Sequence, residues 1–401
     1  MSLVSQFRNR LTTRALSELL DRVGRARKTG DAAAIREALR ASAQELGGET
    51  IAKEMGRVVT GRISGELDHR EASESLHALA HSLPASITGP ALWAMAQLAQ
   101  SVGCFQASQG FSDRALEHMA RSSESRERLV SAVVRRDLDA AIEASARGID
   151  ADAKHYLWWW SGGVAGSAQW STEQPWVDSL RGSQVLMVGP APTSLHPDDI
   201  PDNALIGRVI APGVVSWPAA DVASGRCDLV WANSSSTKWF VQEAAQAVFE
   251  NFRFSSFRTD KWKALHLPNG RTALNHKGLL PMSWDKTNMV PLAVWDLLHI
   301  QDVDVAVTGT TFFASRTAYS PHEVRVKTER GGATDQRGST GLPFERCQSF
   351  SHHALLAHLS LMANLSDAGA IGFDEEGKAV LAMEPAHYLA ELDELYGVPG
   401  I

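Results

Sequence analysis

The sequence has little cysteine, and its three residues, Cys104, Cys227 and Cys347, lie far apart in a chain of 401. No Cys-x-x-Cys pair occurs, so the sequence predicts neither a disulfide framework nor a zinc site. A basic excess is also missing. The formal net charge of −7 argues against general binding of nucleic acid, which needs a basic face.

Long apolar runs are equally scarce. The first residues, MSLVSQFRNRLTTRAL, contain no apolar segment of the secretory type. The most apolar early stretch, GPALWAMAQLAQSVGCF at 89–105, is too short and too rich in glutamine to span a bilayer. We therefore expect a cytoplasmic protein without a membrane span.

The chain is long enough for two domains, and residues 1–150 predict an all-α helical array. Apolar residues recur at spacings of three and four, as in ALSELLDRVGRARK, and breaks at KTGD, HSLPASITGP and RSSES offer N-caps. Segments 92–119 and 130–145 resemble degenerate tetratricopeptide units. The array serves packing or oligomerisation, or it binds a protein partner.

Residues 151–182 are rich in tryptophan and glycine, and we interpret them as a junction. The run Trp158–Trp160 predicts either aromatic packing between the domains or a platform for a sugar ring.

From residue 183 to 401, continuous apolar runs alternate with helical segments. SQVLMVG, ALIGRVIA, CDLVWA, VDVAVTG and IGFDEEGKAVLAM predict strands, and KWFVQEAAQAVFENF, NMVPLAVWDLLHI and SHHALLAHLSLMANLSDAG predict helices. This pattern indicates an α/β fold with a doubly wound, mainly parallel sheet and helices on both faces. Such sheets bind ligands beyond the carboxyl ends of their strands.

The predicted strand ends share small and neutral polar residues, without a cluster of carboxylates. Glycine permits a close backbone approach, and asparagine, serine and threonine offer hydrogen bonds that suit ribose and phosphate oxygens. Any one of these loops is compatible with ordinary turn chemistry, but three at one edge favour a nucleotide site. The residues are Gly189, Thr193, Ser194, Asn233, Ser234, Ser235, Gly309, Thr310 and Thr311.

Other chemistries have weaker signals. The sequence DVD at 302–304 precedes its strand, so it is expected at the edge opposite to a metal site for sugar transfer. Neither a Gly-x-Ser-x-Gly elbow nor a Gly-x-x-x-x-Gly-Lys-Ser/Thr phosphate loop occurs.

The ordered set SQVLMVGPAPTSLHPDDIPDNALIGRVIA, CDLVWANSSS and DKTNMVPLAVWDLLHIQDVDVAVTGTTFFASRTAY resembles the bacterial sialyltransferases of glycosyltransferase family 42. It is more distantly similar to the animal sialyltransferases of family 29. The resemblance covers roughly residues 183–370. It implies a doubly wound catalytic domain with a lid, which binds a CMP-linked sugar without a metal or other cofactor.

The resemblance also implies donor contacts. Gly189 and Asn233 match residues that lie against the nucleotide, and Thr287 and Asn288 match the pair that opens a helix beneath the phosphate. Two family tyrosines that contact the leaving phosphate fall on Phe313 and Tyr319. Because Phe313 has no hydroxyl, Thr310, Thr311 or Arg316 is expected to replace it.

The family's catalytic base is a histidine beyond the lid. RGGATDQRGSTGLPFERCQSF at 330–350 has the composition of such a lid, and His352 and His353 follow it. His353 is our first candidate for the base, His352 the second, and His358 is expected to be structural.

The resulting hypothesis is inverting, metal-independent transfer of a sialic-acid-like sugar from a CMP donor to a glycan hydroxyl. One alternative is another nucleotide-sugar transferase or a pyrophosphokinase-like enzyme on the same scaffold. The other is a non-catalytic scaffold protein of glycan machinery. Phe313 and a first loop that reads Gly-Pro-Ala-Pro-Thr-Ser, where the family has Gly-Asn-Gly-Pro-Ser, favour that alternative.

Overall fold

The computed structural model describes residues 3–146, 151–163, 174–191, 193, 198, 200–210, 226–243, 246–273, 288–300, 302–315 and 353–397. The amino-terminal part of the described chain consists of helices and turns. The helices are α1 (Leu3–Lys28), α2 (Ala32–Ala41), α3 (Glu49–Ser64), α4 (His69–Ser82), α5 (Gly89–Gln100), α6 (Gln109–Ala120), α7 (Ser125–Val134), α8 (Leu138–Ser145), α9 (Ala151–Trp160) and α10 (Gln174–Leu180).

Two of the predicted breaks supply helix caps. Asp31, in KTGD, accepts a hydrogen bond from the Ala34 amide at 2.9 Å and begins α2. Thr88, in HSLPASITGP, caps α5 in the same way. In RSSES, by contrast, α7 follows Glu124 without a side-chain cap. The helical period and the cap chemistry thus agree over most of this part.

Helix α5 lies at the centre of the helical part. All of its residues are buried, and it contacts α1, α3 and α6. A helix that is buried all round is stable only inside a core, and α1, α3 and α6 pack around α5.

The carboxy-terminal part contains a seven-stranded sheet in the order β5-β4-β3-β2-β1-β6-β7, and every neighbouring pair is parallel. This confirms the α/β class and the parallel sheet. The strands are β1 (Gln184–Val188), β2 (Leu205–Ile210), β3 (Leu229–Ala232), β4 (Phe254–Phe257), β5 (Gly270–Thr272), β6 (Asp304–Thr308) and β7 (Gly372–Phe373). The helices are α11 (Ser234–Gln242), α12 (Met289–Leu297), α13 (Leu355–Asp367), α14 (Glu375–Leu381) and α15 (Pro385–Tyr396).

Three details of the predicted pattern were wrong. Strands β4 and β5 were not predicted, because they are short and carry polar residues. The predicted strand IGFDEEGKAVLAM contains only the two residues of β7, and EEGKAVL forms α14 behind an Asp374 cap. The predicted loop of Ser234 and Ser235 is the first turn of α11, because Asn233 caps that helix.

Both faces of the sheet contribute to buried clusters, as its continuous apolar strands predict, although Ala306 of β6 is exposed. Val185 and Met187 of β1 belong to the main hydrophobic core, which includes α12. The alternate residues Leu186 and Val188 belong to a smaller cluster on the other face. Helix α11 contacts β3, and its Phe240 packs in a third cluster with residues of β2, β3 and β4.

The main core also joins the sheet to the helical part. Helix α13 contacts α7, and Ser360 and Asn364 of α13 donate hydrogen bonds to the carbonyls of Val134 and Val133, each at 3.1 Å. The predicted division at residues 150 and 183 stays a prediction, since apolar residues from both parts share one cluster.

The tryptophan run of α9 packs against the end of α12. Trp159 and Trp160 are buried, and the Trp159 indole donates to the Leu298 carbonyl at 3.1 Å. The buried rings of His155 and His299 stack beside it, with their centroids 4.2 Å apart. These contacts agree with the packing interpretation of the run.

A buried polar cluster lies beneath the sheet, where α12 faces β3, β4 and β5. The Asp296 carboxylate accepts hydrogen bonds from Trp231 Nε1 at 2.9 Å, from Ser256 Oγ at 3.1 Å and from Arg271 Nη1 at 2.5 Å. The Arg271 guanidinium also lies 4.5 Å from the centroid of the Trp176 ring. Asp296 is therefore a buried charge with several partners.

None of the helices in the described ranges combines the length and the apolar character needed to cross a membrane.

Candidate functional site

The strand order reverses between β1 and β6. From β1 the chain builds the sheet outward through β2, β3, β4 and β5, and then places β6 and β7 on the other side of β1. Ligands of open parallel sheets bind in the crevice beyond the carboxyl ends of the strands at such a reversal. The sequence-predicted residues Gly189, Gly309, Thr310 and Thr311 follow these two strands.

The loops after β1 and β6 touch through their backbones. The Gly189 amide donates to the Thr308 carbonyl at 2.8 Å, and the Ala191 amide donates to the Gly309 carbonyl at 2.9 Å. A Cβ atom at position 189 would overlap the Gly309 carbonyl and the Thr310 hydroxyl. The glycine at 189 therefore serves close contact between the two loops, whatever else binds there.

Thr310 carries a polar atom that the described part of the chain leaves unsatisfied. The residue is only 7% exposed, and its hydroxyl has no hydrogen-bond partner among the described residues. A buried hydroxyl without a partner costs about 1–3 kcal/mol, so such groups are rare and call for a reason. Thr310 lies against Gly189 at the strand-order reversal, and because its hydroxyl oxygen is itself buried, a ligand oxygen would reach it only after this edge opens.

Asp374 joins this edge, although it was not predicted from the sequence. Its Oδ2 accepts hydrogen bonds from Thr308 Oγ1 at 2.6 Å, from the Gly309 amide at 2.9 Å and from Thr193 Oγ1 at 3.2 Å. Its Oδ1 accepts from the Gly377 amide at 2.8 Å and caps α14. An aspartate just before Glu375 and Glu376 was a visible cap signal, but its contact with β6 depends on the sheet order.

The Asp374 carboxylate makes the part of the edge beside β6 and β7 unfavourable for an anion. The Gly309 amide donates its hydrogen to this carboxylate, so it is not free to bind a phosphate. The predicted role of Gly309 at a nucleotide site is therefore limited to its close backbone approach. The carboxylate's negative charge also disfavours an anion beside β6 and β7. The hydroxyls of Thr193 and Thr308, 2.5 Å apart, extend this polar network.

The turn after β6 has an unusual backbone. Phe312 and Phe313 have φ angles of 47° and 70°, which bulky residues rarely adopt. Such conformations cost on the order of 1–3 kcal/mol each and concentrate at functional sites. The Phe312 ring is buried, with its centroid 6.1 Å from that of Phe373, and the half-buried Phe313 packs against the main core.

Two tyrosines of α15 hold this turn. The Tyr388 hydroxyl donates to the Phe312 carbonyl at 2.6 Å, and the Tyr396 hydroxyl donates to the carbonyls of Phe313 at 2.8 Å and Ser315 at 2.9 Å. Burial raises the pKa of Tyr388, so its phenol stays protonated as a donor. Neither tyrosine was predicted as a site residue from the sequence.

The predicted residues after β3 form a helix beginning. Asn233 Oδ1 accepts hydrogen bonds from the Ser236 amide at 2.8 Å and the Ser236 hydroxyl at 3.1 Å. Ser234 and Ser235 are exposed in the first turn of α11. First-turn amides have no acceptor within their own helix, and the helix dipole favours an anion near them. Asn233 thus acts through its cap rather than as a free amide oxygen.

Two further candidates precede helices. Asn288 is half-buried and comes directly before α12, without a side-chain cap. His353 is half-buried before α13, and its ring centroid lies 6.0 Å from that of the buried His358. Since α13 reaches the beginning of β7 through residues 368–371 only, we expect its other end, with His353, at the carboxyl edge.

Five predicted site residues, Ser194, Thr287, Arg316, Tyr319 and His352, lie outside the described residues, as does the predicted lid at 330–350. Asp304 is the exposed first residue of β6, and Asp302 precedes it, so both lie at the edge opposite to the candidate site, as expected.

Within the described ranges, histidine, cysteine, aspartate and glutamate side chains do not gather in groups of three or more that could hold a metal ion. No protein-family model, no curated protein and no solved structure matches the chain. The resemblance to sialyltransferases therefore stays a prediction that rests on the order of the motifs.

Proposed function

We propose that the protein is a glycosyltransferase that binds a nucleotide-sugar donor at the carboxyl edge of a doubly wound, sialyltransferase-like sheet. The observation that carries the proposal is the unsatisfied Thr310 hydroxyl at the reversal between β1 and β6. A donor oxygen at this position would satisfy that hydroxyl, and the edge is where parallel sheets bind nucleotides.

The charge distribution suggests an orientation for the donor. The first turn of α11 and the beginning of α12 attract a phosphate, while the Asp374 carboxylate repels one from β6 and β7. We therefore propose that the phosphate lies toward α11 and α12. The hydroxyl groups of the donor would then lie toward Thr193 and Thr310, which offer neutral hydrogen bonds.

The proposed reaction is inverting and requires no metal or other cofactor. The oxygen of a glycan hydroxyl forms a bond to the anomeric carbon of a sialic-acid-like sugar. The bond from that carbon to the phosphate oxygen breaks, and its electron pair leaves with CMP. His353 accepts the hydroxyl proton, since imidazole is the side chain suited to proton transfer near neutral pH, and Tyr319 supports the leaving phosphate. We place this reaction in the cytoplasm.

A nucleotide-binding measurement on the whole chain tests the proposal. We expect calorimetric titration to show binding of CMP in preference to UDP and GDP. Thr310→Val, which removes the hydroxyl and keeps the shape, should weaken CMP binding by about tenfold, because one hydrogen bond to a charged or polar ligand group is lost. Thr60→Val is the matched control, since the Thr60 hydroxyl is buried in α3 and donates to the Gly56 carbonyl.

A transfer or donor-hydrolysis assay then tests the chemistry. His353→Ala should lower turnover by about 10²–10⁴-fold, the usual contribution of a general base, with CMP binding retained. Tyr319→Phe should lower turnover without changing the fold. Unchanged activity in both variants would remove these two assignments. Binding of a purine nucleotide only with magnesium would instead favour a pyrophosphokinase-like enzyme.

A non-catalytic scaffold is the second candidate, and the contact between the two loops favours it. The backbones after β1 and β6 are hydrogen-bonded to each other, and Asp374 occupies the Gly309 amide. If none of the tested nucleotides binds to the wild-type protein, this candidate replaces the first.

A further inference from the structure

Helix α15 lies between the strained turn after β6 and the helical part of the chain. Toward the turn, it presents the Tyr388 and Tyr396 hydroxyls, which donate to the carbonyls of Phe312, Phe313 and Ser315. These carbonyls belong to or follow the two left-handed residues. The contacts therefore act on the backbone conformation of the turn and not only on side-chain packing.

The end of the same helix is fastened to the helical part. Asp393 accepts a hydrogen bond from the Gln106 amide at 3.2 Å, and its other oxygen lies 3.2 Å from His69 Nε2. Arg62, buried in α3, donates to the Gly397 carbonyl at 3.0 Å. Hydrogen bonds from two separate segments of the helical part, at Gln106 and Arg62, thus hold the end of α15, where Tyr396 also lies, and His69 packs beside Asp393.

A strained turn persists only where its surroundings determine it strongly. The turn has its own internal hydrogen bonds, from the Ala314 amide to the Thr311 carbonyl and from the Ser315 amide to the Phe313 carbonyl, each at 2.8 Å. In addition, the turn accepts hydrogen bonds from the phenol hydroxyls of Tyr388 and Tyr396. The position of these hydroxyls depends on the contacts of α15 with the helical part. The backbone conformation of the turn next to Thr310 therefore depends on how α15 packs against the helical part.

We propose that α15 is a positioning element through which the helical part controls the candidate nucleotide site. Tyr388 and Tyr396 act as positioning residues for the turn at 309–315. Asp393 fixes the position of α15 relative to the helical part. The effect on nucleotide affinity rests on the proposed function, whereas the effect on the turn does not. Coupling of this kind is reciprocal, so a nucleotide at the edge should also stabilise the end of α15.

Hydrogen exchange on the whole chain tests the first link, because the Ala314 and Ser315 amides report opening of the turn. In Tyr396→Phe, we expect their exchange to accelerate by about fivefold to tenfold, the effect of one lost buried hydrogen bond. Tyr156→Phe is the matched control, since the Tyr156 hydroxyl is buried and accepts a hydrogen bond from Asn364, away from the turn. Equal exchange of the turn in both variants overturns the proposal.

Asp393→Ala tests the second link, because it loosens α15 from the helical part without touching the turn. We expect faster exchange of Ala314 and Ser315 and a CMP affinity lowered by about threefold to tenfold, in the same direction as for Tyr396→Phe. If Asp393→Ala leaves the exchange of the turn unchanged, the control by the helical part is refuted. If the wild-type protein binds no nucleotide, the proposed function fails, and the exchange measurements still decide whether α15 positions the turn.

Discussion

The Asp296 carboxylate beneath the sheet and the Thr310 hydroxyl at the carboxyl edge are both buried, but they differ in their hydrogen bonds. Beneath the sheet, the Asp296 carboxylate has hydrogen bonds from Trp231, Ser256 and Arg271. At the edge, the Thr310 hydroxyl has no partner among the described residues, and the turn beside it contains two left-handed phenylalanines. The Asp296 carboxylate thus has its partners within the described protein, whereas the Thr310 hydroxyl lies without one beside a strained turn, an arrangement that is common at functional sites.

The largest effect should follow from breaking the satisfied cluster. Asp296→Ala leaves Arg271 buried without its carboxylate, and we expect the free energy of unfolding to fall by about 3–5 kcal/mol. Chemical denaturation measures this loss. Asp304→Ala is the control, because this exposed carboxylate at the beginning of β6 should matter by less than about 0.5 kcal/mol. Comparable losses in the two variants would contradict the importance of the cluster.

A pH effect of intermediate size should come from the stacked rings of His155 and His299 at the end of α12. Burial, and then the neighbouring His299, lower the pKa of His155 from 6.5 to about 3. The unfolded chain therefore binds this proton more readily, so the stability from His155 is complete above pH 6.5 and is lost as the pH falls toward 3. The expected slope is about 1.4 kcal/mol per pH unit from this group.

Denaturation series between pH 7 and pH 4 would measure this slope. In His155→Gln, the titrating group is removed and the slope should decrease, although the stability at pH 7 also falls. An unchanged slope in that variant would show that other groups cause the acid destabilisation.

Removing the Thr310 hydroxyl should change the stability least. Thr310→Val removes a hydroxyl without a described partner, so we expect the free energy of unfolding to stay within about 0.5 kcal/mol or to rise. Ser256→Ala removes a hydroxyl from the satisfied cluster and should cost about 1 kcal/mol. Thermal and chemical denaturation measure the free energy of unfolding of the two variants. Equal losses in this free energy would mean that the Thr310 hydroxyl has a hydrogen-bond partner in solution.

The sequence predicted best the elements whose pattern is local. Strands β1, β2, β3 and β6 are continuous apolar runs, and helices α12 and α13 have a helical period, so both kinds were found. Strands β4 and β5 were missed, because their short sequences become strands only beside β3 and β4, respectively. The same holds for β7, which needs β6 as a neighbour.

The site depends even more on long-range contacts. The order of the motifs brought Gly189, Gly309 and Thr310 to one edge correctly. Asp374 was missed, because its contact with Gly309 joins residues 65 apart in the chain. Tyr388 and Tyr396 were missed for the same reason, since nothing in the sequence of α15 indicates that its phenols donate hydrogen bonds to the turn that follows β6.

The two outermost strands of the sheet have a consequence for concentrated solutions. Strand β5 has three residues and β7 has two, so neither border offers the long row of free amides and carbonyls that a foreign strand requires. A second molecule cannot extend this sheet by strand addition over any useful length. We therefore expect the folded protein to resist fibre growth from its sheet, even though the interior strands are among the most apolar segments of the chain.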